Sequence, residues 1–358
     1  MSRAGPRVLL VEGLGRSIRY RGGVIEVRDR GTLSSVHSPG EFDLLVITGR
    51  VAVTSDAIRA LSSRGTDVLF MTPSGRLYAR ISFPELRTSA TRRAQYCAEG
   101  ERRGGILARE IVRAKLRNQM GLLRTLAKDR PEISDEVLQA RESMANLLER
   151  LSGIDGPPEV VRGVLLGMEG EAAARYWGAV SRAVPPGFGF PGRRTRGARD
   201  TLNAALNYGY AILMGFVWRA VHMAGLDPYA GFLHAERPGR PSMVLDLMEE
   251  FRQQVVDRRM LALVGTGALR PEAAGEGALA KTARRRIAGA VLERLDDRVQ
   301  YAGERTALST AVQEQARGAA LFLRGDRDEY RGFHLDWRGR ERYGLDKGKR
   351  SVSAGLLP

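Results

Sequence analysis

The spacing of hydrophobic residues divides the chain into an N-terminal part with strand patterns and a longer part with helix patterns. Gly22-Gly23 separates two alternating runs, which predicts a hairpin with a two-residue turn. Pro73-Ser74-Gly75 predicts the turn of a second hairpin. Residues 51–65 predict one short helix, with Ser55 as its N-cap and Gly65 just after its end. The predicted strands are short, β-branched and bounded by glycine, aspartate or proline: 8–12, 17–29, 44–48 and 67–72.

From about residue 89 the apolar residues recur with the 3.6-residue period of a helix. Asp200 is the predicted N-cap of the most apolar of these helices, which should end at Gly225. The polar tail 344–358 is predicted to be disordered. The fold class is therefore α+β, with a small N-terminal β-sandwich-like domain (1–88) and a larger all-α domain (89–343). The predicted helices cover 89–128, 131–153, 157–184, 201–224, 243–263, roughly 280–299 and 306–324.

Membrane and secretory classes are disfavoured. The longest apolar run, 204–218, contains Asn207 and is shorter than the roughly 20 residues of a membrane span, so it predicts a buried core helix. Met1 is followed by no signal-peptide pattern. Cys97 is the only cysteine, which excludes a disulfide framework and a cysteine-based zinc site. We therefore expect a cytoplasmic protein that does not bind a membrane.

The net charge predicts a polyanionic partner. There are 57 basic and 41 acidic residues, a formal charge of +16, which suits DNA, RNA or an anionic surface. An arginine-rich composition without a binding role is the alternative. Residues 87–117 hold nine basic and three acidic residues, which predicts either a DNA-facing or a solvated helix face. The loop 185–199 is predicted to be mobile and contains no acid. The candidate DNA-binding residues are Arg193, Arg194, Arg196 and Arg199 of this loop, and Arg252.

Glu169 is an acid on an otherwise apolar helix stripe formed by Leu165, Met168, Ala172, Ala173 and Tyr176. A carboxylate in such a position costs free energy unless it is paired with a cation or binds a metal. Spacing alone leaves both explanations open, and Arg162 or Arg175 would be the partner in an internal salt bridge.

His234 follows the helix-ending segment GLDP (225–228) and precedes a helix that carries several acids. A lone histidine is more often structural than a metal ligand. On a helical wheel Asp246, Glu250 and Asp257 lie opposite the apolar face, and Glu249 lies on a flank. A solvated acidic face would explain this pattern equally well, so periodicity does not select a ligand. Two carboxylates and a neutral imidazole do, however, suit a hard divalent cation.

Taken together, these motifs resemble the CRISPR-associated integrase family, the universal spacer-acquisition endonuclease of those immune systems. The matching segments are GMEGEAAARYW, DTLNAALNYGYAIL and GLDPYAGFLHAERPGRPSMVLDLMEEFRQQVVD, together with much of the N-terminal region. The separations of 65 residues from Glu169 to His234 and 15 from His234 to Glu249 agree with the family's metal triad. The resemblance covers nearly the whole chain. This sequence differs most from the family pattern at 185–199 and 266–281.

The resemblance implies that Glu169, His234 and Glu249 are catalytic residues that bind Mg²⁺ or Mn²⁺. Asp246 falls on the first acid of the family's DLxE element, which implies an auxiliary role. Tyr176, Asn203 and Asn207 match recurrent positions that are structural or position the substrate. The helical domain is then the catalytic domain and carries the metal site.

The implied function is insertion of short DNA fragments into a CRISPR array by metal-dependent transesterification. The implied partners are double-stranded and branched DNA, a second copy of the chain paired through the β domain, and a small ferredoxin-like CRISPR protein. A stand-alone nuclease or a transposon-type integrase of the same fold is one alternative. A non-catalytic DNA-binding scaffold is another.

Overall fold

A computed structural model describes residues 7–73, 75–82, 89–195, 197, 199–275 and 278–335. It confirms the α+β class, with an N-terminal β-sheet region followed by a helical region. The described residues form two compact units. The β unit contains those of 7–72 and 78–82, and the helical unit contains those of 73–77 and 89–335. The predicted boundary at 88/89 adjoins residues outside the described ranges, and the tail 344–358 lies entirely outside them.

The β unit is built on a mixed six-stranded sheet. All six strands hydrogen-bond in one sheet, in the order β3-β2-β1-β4-β5-β6. The central pairs β1–β4 and β4–β5 are parallel, whereas β1–β2 and β2–β3 are antiparallel. The strands are β1 Val8–Arg21, β2 Val24–Asp29, β3 Thr32–His37, β4 Leu44–Val53, β5 Asp67–Met71 and β6 Leu77–Ile81.

The predicted hairpin and short helix are both present in the β unit. Gly22 and Gly23 have φ angles of 58° and 84°, which glycine adopts without steric cost, and they join β1 to β2. The helix α1 (Ser55–Ser63) is shorter than predicted because β4 continues to Val53. Thr54, not Ser55, is its N-cap and accepts the amide hydrogen of Ala57 at 3.3 Å. Strand β3 was not predicted, because TLSSVH has few apolar residues.

The helical unit contains nine further α-helices and two short hairpins within the described residues. The hairpins are β7 Ala274–Gly275 with β8 Ala278–Leu279, and β9 Arg298–Tyr301 with β10 Glu304–Ala307. The helices are α2 Ser89–Cys97, α3 Arg102–Asp129, α4 Ser134–Ser152, α5 Pro158–Ala183, α6 Thr201–Met223, α7 Ser242–Glu249, α8 Arg258–Gly265, α9 Lys281–Asp296 and α10 Leu308–Arg324.

Two predicted helices are interrupted in the structure. The predicted helix 89–128 breaks after Cys97, where a short 3₁₀ turn and the extended backbone of Glu101 (φ −115°, ψ 156°) precede α3. Near the start of α3, a Cβ on Gly105 would lie 1.9 Å from the carbonyl oxygen of Gly156, so only glycine permits this approach. The predicted helix 243–263 is divided by a π-helical segment at Gln253–Asp257. Such π segments occur frequently at functional sites.

The most apolar helix, α6, is buried as predicted. Asp200 caps it by accepting the amide hydrogen of Asn203 at 2.8 Å, and Gly225 follows its end with φ 75°. Its neighbours are α7, α9 and α10. Within the described part of the chain, every helix is too short or too polar to span a membrane.

Candidate functional site

The ammonium group of Lys115 lies between two carboxylates that the sequence singled out. Lys115 is on α3, is 8% exposed and contacts Glu169 on α5 and Glu249 at the end of α7. Its Nζ donates a short hydrogen bond to Glu169 Oε1 and lies 2.6 Å from Glu249 Oε2. Three helices therefore bring together one cation and two anions, although Glu169 and Glu249 are 80 residues apart in the chain.

Glu169 is paired, but with a different base from those considered. Arg162 instead binds Glu99 at 2.5 Å and the carbonyl oxygen of Phe232 at 3.0 Å. The internal salt bridge, one of the two explanations left open, is present in the described structure, but Lys115 supplies its cation. A lysine on the adjacent α3 reaches it, which the spacing within one helix could not reveal.

Glu249 is the most strongly charge-compensated acid of the site. Its Oε1 lies 2.9 Å from Arg252 Nε, and its side chain is 6% exposed. Burial acts to raise the pKa of Glu249, but the charges of Arg252, Lys115 and His234 outweigh it and lower this pKa to about 2. Burial similarly acts to lower the pKa of Lys115, which Glu249 and Glu169 raise above its usual value. The buried pair is therefore held in its charged form.

His234 is fixed by Asp246. The ring Nδ1 lies 2.6 Å from Asp246 Oδ1, which also accepts the backbone amide of His234 at 2.9 Å. The other oxygen of Asp246 accepts the amides of Phe232 and Leu233 at 2.6 and 2.9 Å. Because an ionised carboxylate only accepts, Nδ1 carries a hydrogen toward Asp246, and Nε2 is the ring nitrogen that Asp246 does not bind. A buried carboxylate behind a histidine is the usual support of a metal-ligating imidazole.

The acids of 246–257 do not form a solvated face. Asp246, Glu250 and Asp257 are fully buried, so the alternative explanation of this pattern was wrong. The acids have separate partners. Asp246 accepts hydrogen bonds from residues 232–234, whereas Glu249 forms ion pairs with Lys115 and Arg252. These partners come from other helices and loops, so a helical wheel could not show them.

Glu250 anchors the chain after α10. It accepts the amide hydrogen of Phe333 at 2.7 Å and the hydroxyl of Tyr330 at 2.6 Å. Burial raises the pKa of Glu250 to about 8, although these hydrogen bonds act to lower it. The amide of Asn118 donates to the carbonyl oxygens of Glu250 and Phe333 at 2.8 and 2.9 Å. Glu250 is thus occupied by residues 330–333 and is separate from the Lys115 cluster.

The loop 185–199, here called the arginine-rich loop, is attached to α6 through Arg193. Its guanidinium donates to Asn203 Oδ1 at 3.0 Å and to Asn207 Oδ1 at 2.6 Å. Asn203 Oδ1 also accepts the backbone amide of Arg194 at 2.8 Å. The side chains of Arg194 and Arg199 are exposed, whereas Arg196 lies outside the described residues. Among the predicted DNA-binding arginines, Arg193 and Arg252 therefore already have intramolecular roles.

A second buried cluster lies on Asp257, at the end of the π segment. Tyr176 donates its hydroxyl to Asp257 at 2.9 Å, and Tyr210 donates a short hydrogen bond to the other oxygen. The guanidinium carbons of Arg193 and Arg252 lie 5.1 and 4.7 Å from the centre of the Tyr210 ring. Tyr210 thus links the arginine-rich loop to Arg252, which contacts Glu249.

The buried carboxyl group of Asp257 should make the free energy of unfolding depend on pH. Burial raises the pKa of Asp257 to about 6, despite hydrogen bonds from Tyr210 and Tyr176 that act to lower it. A raised folded-state pKa means that the protonated acid favours folding, so its contribution is present below pH ~4 and is lost as pH rises through ~6. The lost contribution is about 2–3 kcal/mol.

We expect Asp257→Asn to remove this dependence, because its carboxamide does not titrate. Urea unfolding at pH 4 and pH 6.5 should show the variant gaining stability relative to wild type as pH rises. Asp129→Asn, at an exposed aspartate at the end of α3, is the control and should follow wild type. An equal difference in unfolding free energy at both pH values would contradict the prediction.

The donor set around Lys115 suits a divalent cation. Two carboxylate oxygens converge on one positive group, and Asp246 binds only one nitrogen of the His234 ring, Nδ1. Within the described ranges, no group of three or more histidine, cysteine or acidic side chains is arranged to hold a metal ion. In the described structure the Lys115 ammonium lies between Glu169 and Glu249. The chemistry of the residues fits a metal once that ammonium moves.

Lys115 is the site residue that the sequence analysis missed. It was counted only as one of nine basic residues in 87–117. A signal was present: of the 57 basic residues, five are lysines and 52 are arginines. A lysine within the apolar face of a long helix is therefore unusual in this chain.

Sequence comparison relates the chain to one family along most of its length. Residues 9–293 match the family described as CRISPR associated protein Cas1. A CRISPR-associated endonuclease Cas1 of Archaeoglobus fulgidus is 41% identical over 344 residues, which cover 92% of this chain and 99% of the relative.

The fold is similar to solved structures of related proteins. A casposase bound to integration product superposes with a TM-score of 0.79 at 26% identity, and the match covers 96% of each chain. A chain of a Cas6-RT-Cas1–Cas2 complex has a TM-score of 0.76 at 19% identity, covering 93% of this chain and 36% of the other. The latter likeness concerns the fold alone.

Proposed function

The chain belongs to the CRISPR associated protein Cas1 family, and we propose that it is a metal-dependent DNA integrase that inserts short DNA fragments into a CRISPR array. The observation that carries the proposal is the convergence of Glu169 and Glu249 on one cation, and His234, supported by a buried aspartate, interacts electrostatically with Glu249. The casposase bound to integration product, at 26% identity over 96% of the chain, supports strand transfer as the reaction.

Glu169, His234 and Glu249 are the proposed metal-binding and catalytic residues, with Mg²⁺ or Mn²⁺ as the cation. A bound cation would polarise the phosphoryl oxygen and offset the charge that develops during the reaction. Two carboxylates and a neutral imidazole leave coordination positions for water and substrate. Asp246 fixes the ring orientation and the tautomer of His234, so it is a positioning residue.

The proposed reaction is a transesterification without a covalent enzyme intermediate. A 3′-hydroxyl of the incoming DNA attacks a backbone phosphorus, a new P–O bond forms, and the bond to the old 3′-oxygen breaks. The proton lost by the attacking hydroxyl is balanced by the one that the departing 3′-oxygen gains. One ester replaces another, so the reaction needs no external energy source.

We propose double-stranded and branched DNA as the substrate, and electrostatics supports this. The charge of +16 and the exposed Arg194 and Arg199 favour a phosphate backbone, and affinity should fall steeply with salt. Arg193 and Arg252 act differently, by holding the loop and Glu249 in place. Family membership supports two further partners: a second copy of the chain, paired through the β domain 1–88, and a small ferredoxin-like CRISPR protein. We also propose a cytoplasmic location.

A strand-transfer assay tests the function. Supercoiled plasmid and a labelled short duplex are incubated with the protein, with Mn²⁺, Mg²⁺ or EDTA. We expect the label to join the plasmid only in the presence of a divalent cation. Plasmid cleavage without joining would favour a stand-alone nuclease instead. DNA binding without either product would indicate a non-catalytic scaffold.

A transposon-type integrase is the second candidate, because the casposase match is nearly complete in both chains. The same assay distinguishes the two when the plasmid either carries or lacks a CRISPR repeat array. An array-dependent insertion site supports spacer acquisition. Insertion that depends on the ends of the labelled duplex, and ignores the array, supports the transposon-type reaction.

A further inference from the structure

The position of Lys115 in the site has a consequence for metal binding. Glu169 Oε1 and Glu249 Oε2 both contact its Nζ, which therefore occupies the point on which the two carboxylates converge. We propose that Lys115 is an internal counter-ion, which holds the two carboxylates together without metal and competes with the divalent cation for them. The inference rests on the proposed function, because it assumes that these carboxylates bind metal.

Electrostatics explains why such a residue is needed. The Glu249 side chain is buried, and an uncompensated buried carboxylate is costly. Arg252 compensates Oε1 of Glu249 from its own helical segment, whereas Oε2 faces Lys115. Lys115 is also the base that contacts Glu169 in the described structure. Removal of Lys115 would leave two carboxylates facing each other with one arginine beside them.

The chemistry of lysine suits an exchangeable cation. Arginine presents a planar, rigid fork, whereas lysine carries a compact charge on a flexible four-carbon chain. The compact ammonium fits between two carboxylates, and its stem lets it withdraw while α3 stays in place. This chain uses arginine for 52 of its 57 basic residues, yet it has lysine at this position.

Because Lys115 competes with the metal, its removal should raise metal affinity, whereas removal of a ligand should lower it. A divalent cation must displace the ammonium from the carboxylates, so wild-type affinity includes the free energy of breaking that contact. Without the ammonium, the carboxylates are free to bind, and repulsion between the ammonium and the metal is absent. Lys115 should therefore weaken metal binding while stabilising the metal-free protein.

The experiment measures Mn²⁺ affinity by calorimetry without DNA. We expect Lys115→Met to bind Mn²⁺ at least about tenfold more tightly than wild type. Lys115→Arg keeps the charge and should bind no more tightly than wild type. Lys128→Met, at an exposed lysine of the same helix, should leave affinity unchanged. Equal or weaker Mn²⁺ binding by Lys115→Met would overturn the inference.

A second measurement does not depend on the variant folding well. Wild-type protein with ¹⁵N-labelled lysine has only five ammonium groups, and Lys115→Arg identifies the signal of Lys115. We expect Mg²⁺ to shift this signal as the ammonium leaves the carboxylates, with no change at Lys128. An unchanged Lys115 signal at Mg²⁺ concentrations that saturate the protein would refute displacement. A wild-type protein that binds neither cation would instead overturn the proposed function.

Discussion

Glu249→Gln should abolish strand transfer and leave DNA binding nearly unchanged. Glutamine has the shape of glutamate and can still accept from Arg252, so the fold around Oε1 is maintained. It loses the charge that a divalent cation requires, and loss of several kcal/mol of transition-state stabilisation lowers the rate roughly a thousandfold or more. The plasmid-joining assay measures the rate, and filter binding at fixed salt measures the DNA affinity.

Glu169 and His234 should behave in the same way if the three residues bind one cation. Glu169→Ala, His234→Ala and Glu249→Ala are therefore each expected to abolish joining in Mg²⁺ or Mn²⁺. Glu171→Gln is the matched control, because Glu171 is exposed on the same helix as Glu169 and should remain fully active. Joining at the wild-type rate by His234→Ala would show that the site is assigned incorrectly.

Asp246→Ala should cost both stability and activity. Asp246 is fully buried and accepts the backbone amides of 232–234 as well as the ring of His234. Alanine leaves three amides without an acceptor, two of them fully buried, and each buried one costs about 1–3 kcal/mol. We therefore expect a loss of at least about 3 kcal/mol in the free energy of unfolding, measured by urea denaturation.

A double-variant cycle separates a positioning role of Asp246 from direct metal binding. In the positioning role, Asp246→Asn weakens Mn²⁺ binding through His234, so it should have little further effect on affinity in a His234→Ala background. Equal losses of Mn²⁺ affinity in both backgrounds would mean that Asp246 contacts the metal itself. Urea denaturation of each protein shows whether the variants remain folded under the binding conditions.

The sequence predicted the positions of helices and strands better than the points where helices are interrupted. The Gly22-Gly23 turn and the Asp200 cap were predicted because each has a local physical cause that leaves a mark in the sequence. The break after Cys97 and the π segment at Gln253–Asp257 were not, because both occur within continuous 3.6-residue patterns. The π segment also carries Asp257, whose partners Tyr176 and Tyr210 lie on other helices and leave no mark in the local pattern.

In the candidate site too, local features were predictable and contacts between distant residues were not. The resemblance singled out Glu169, His234 and Glu249, but periodicity could not distinguish Glu249 from Asp246 or Glu250. The structure separates them by their partners, which come from α3, the turn at 232–234 and the segment after α10. Lys115 was missed because its role depends on two carboxylates on other helices, and no spacing within α3 encodes them.

The hydrogen bonds between Asn118, Glu250 and Phe333 have a mechanical consequence. They connect residues 330–335 to the Glu250 carboxylate directly and to its carbonyl oxygen through Asn118, and Glu250 is the direct neighbour of Glu249. A displacement of residues 330–335 would therefore reach the residue next to Glu249, one of the proposed metal ligands.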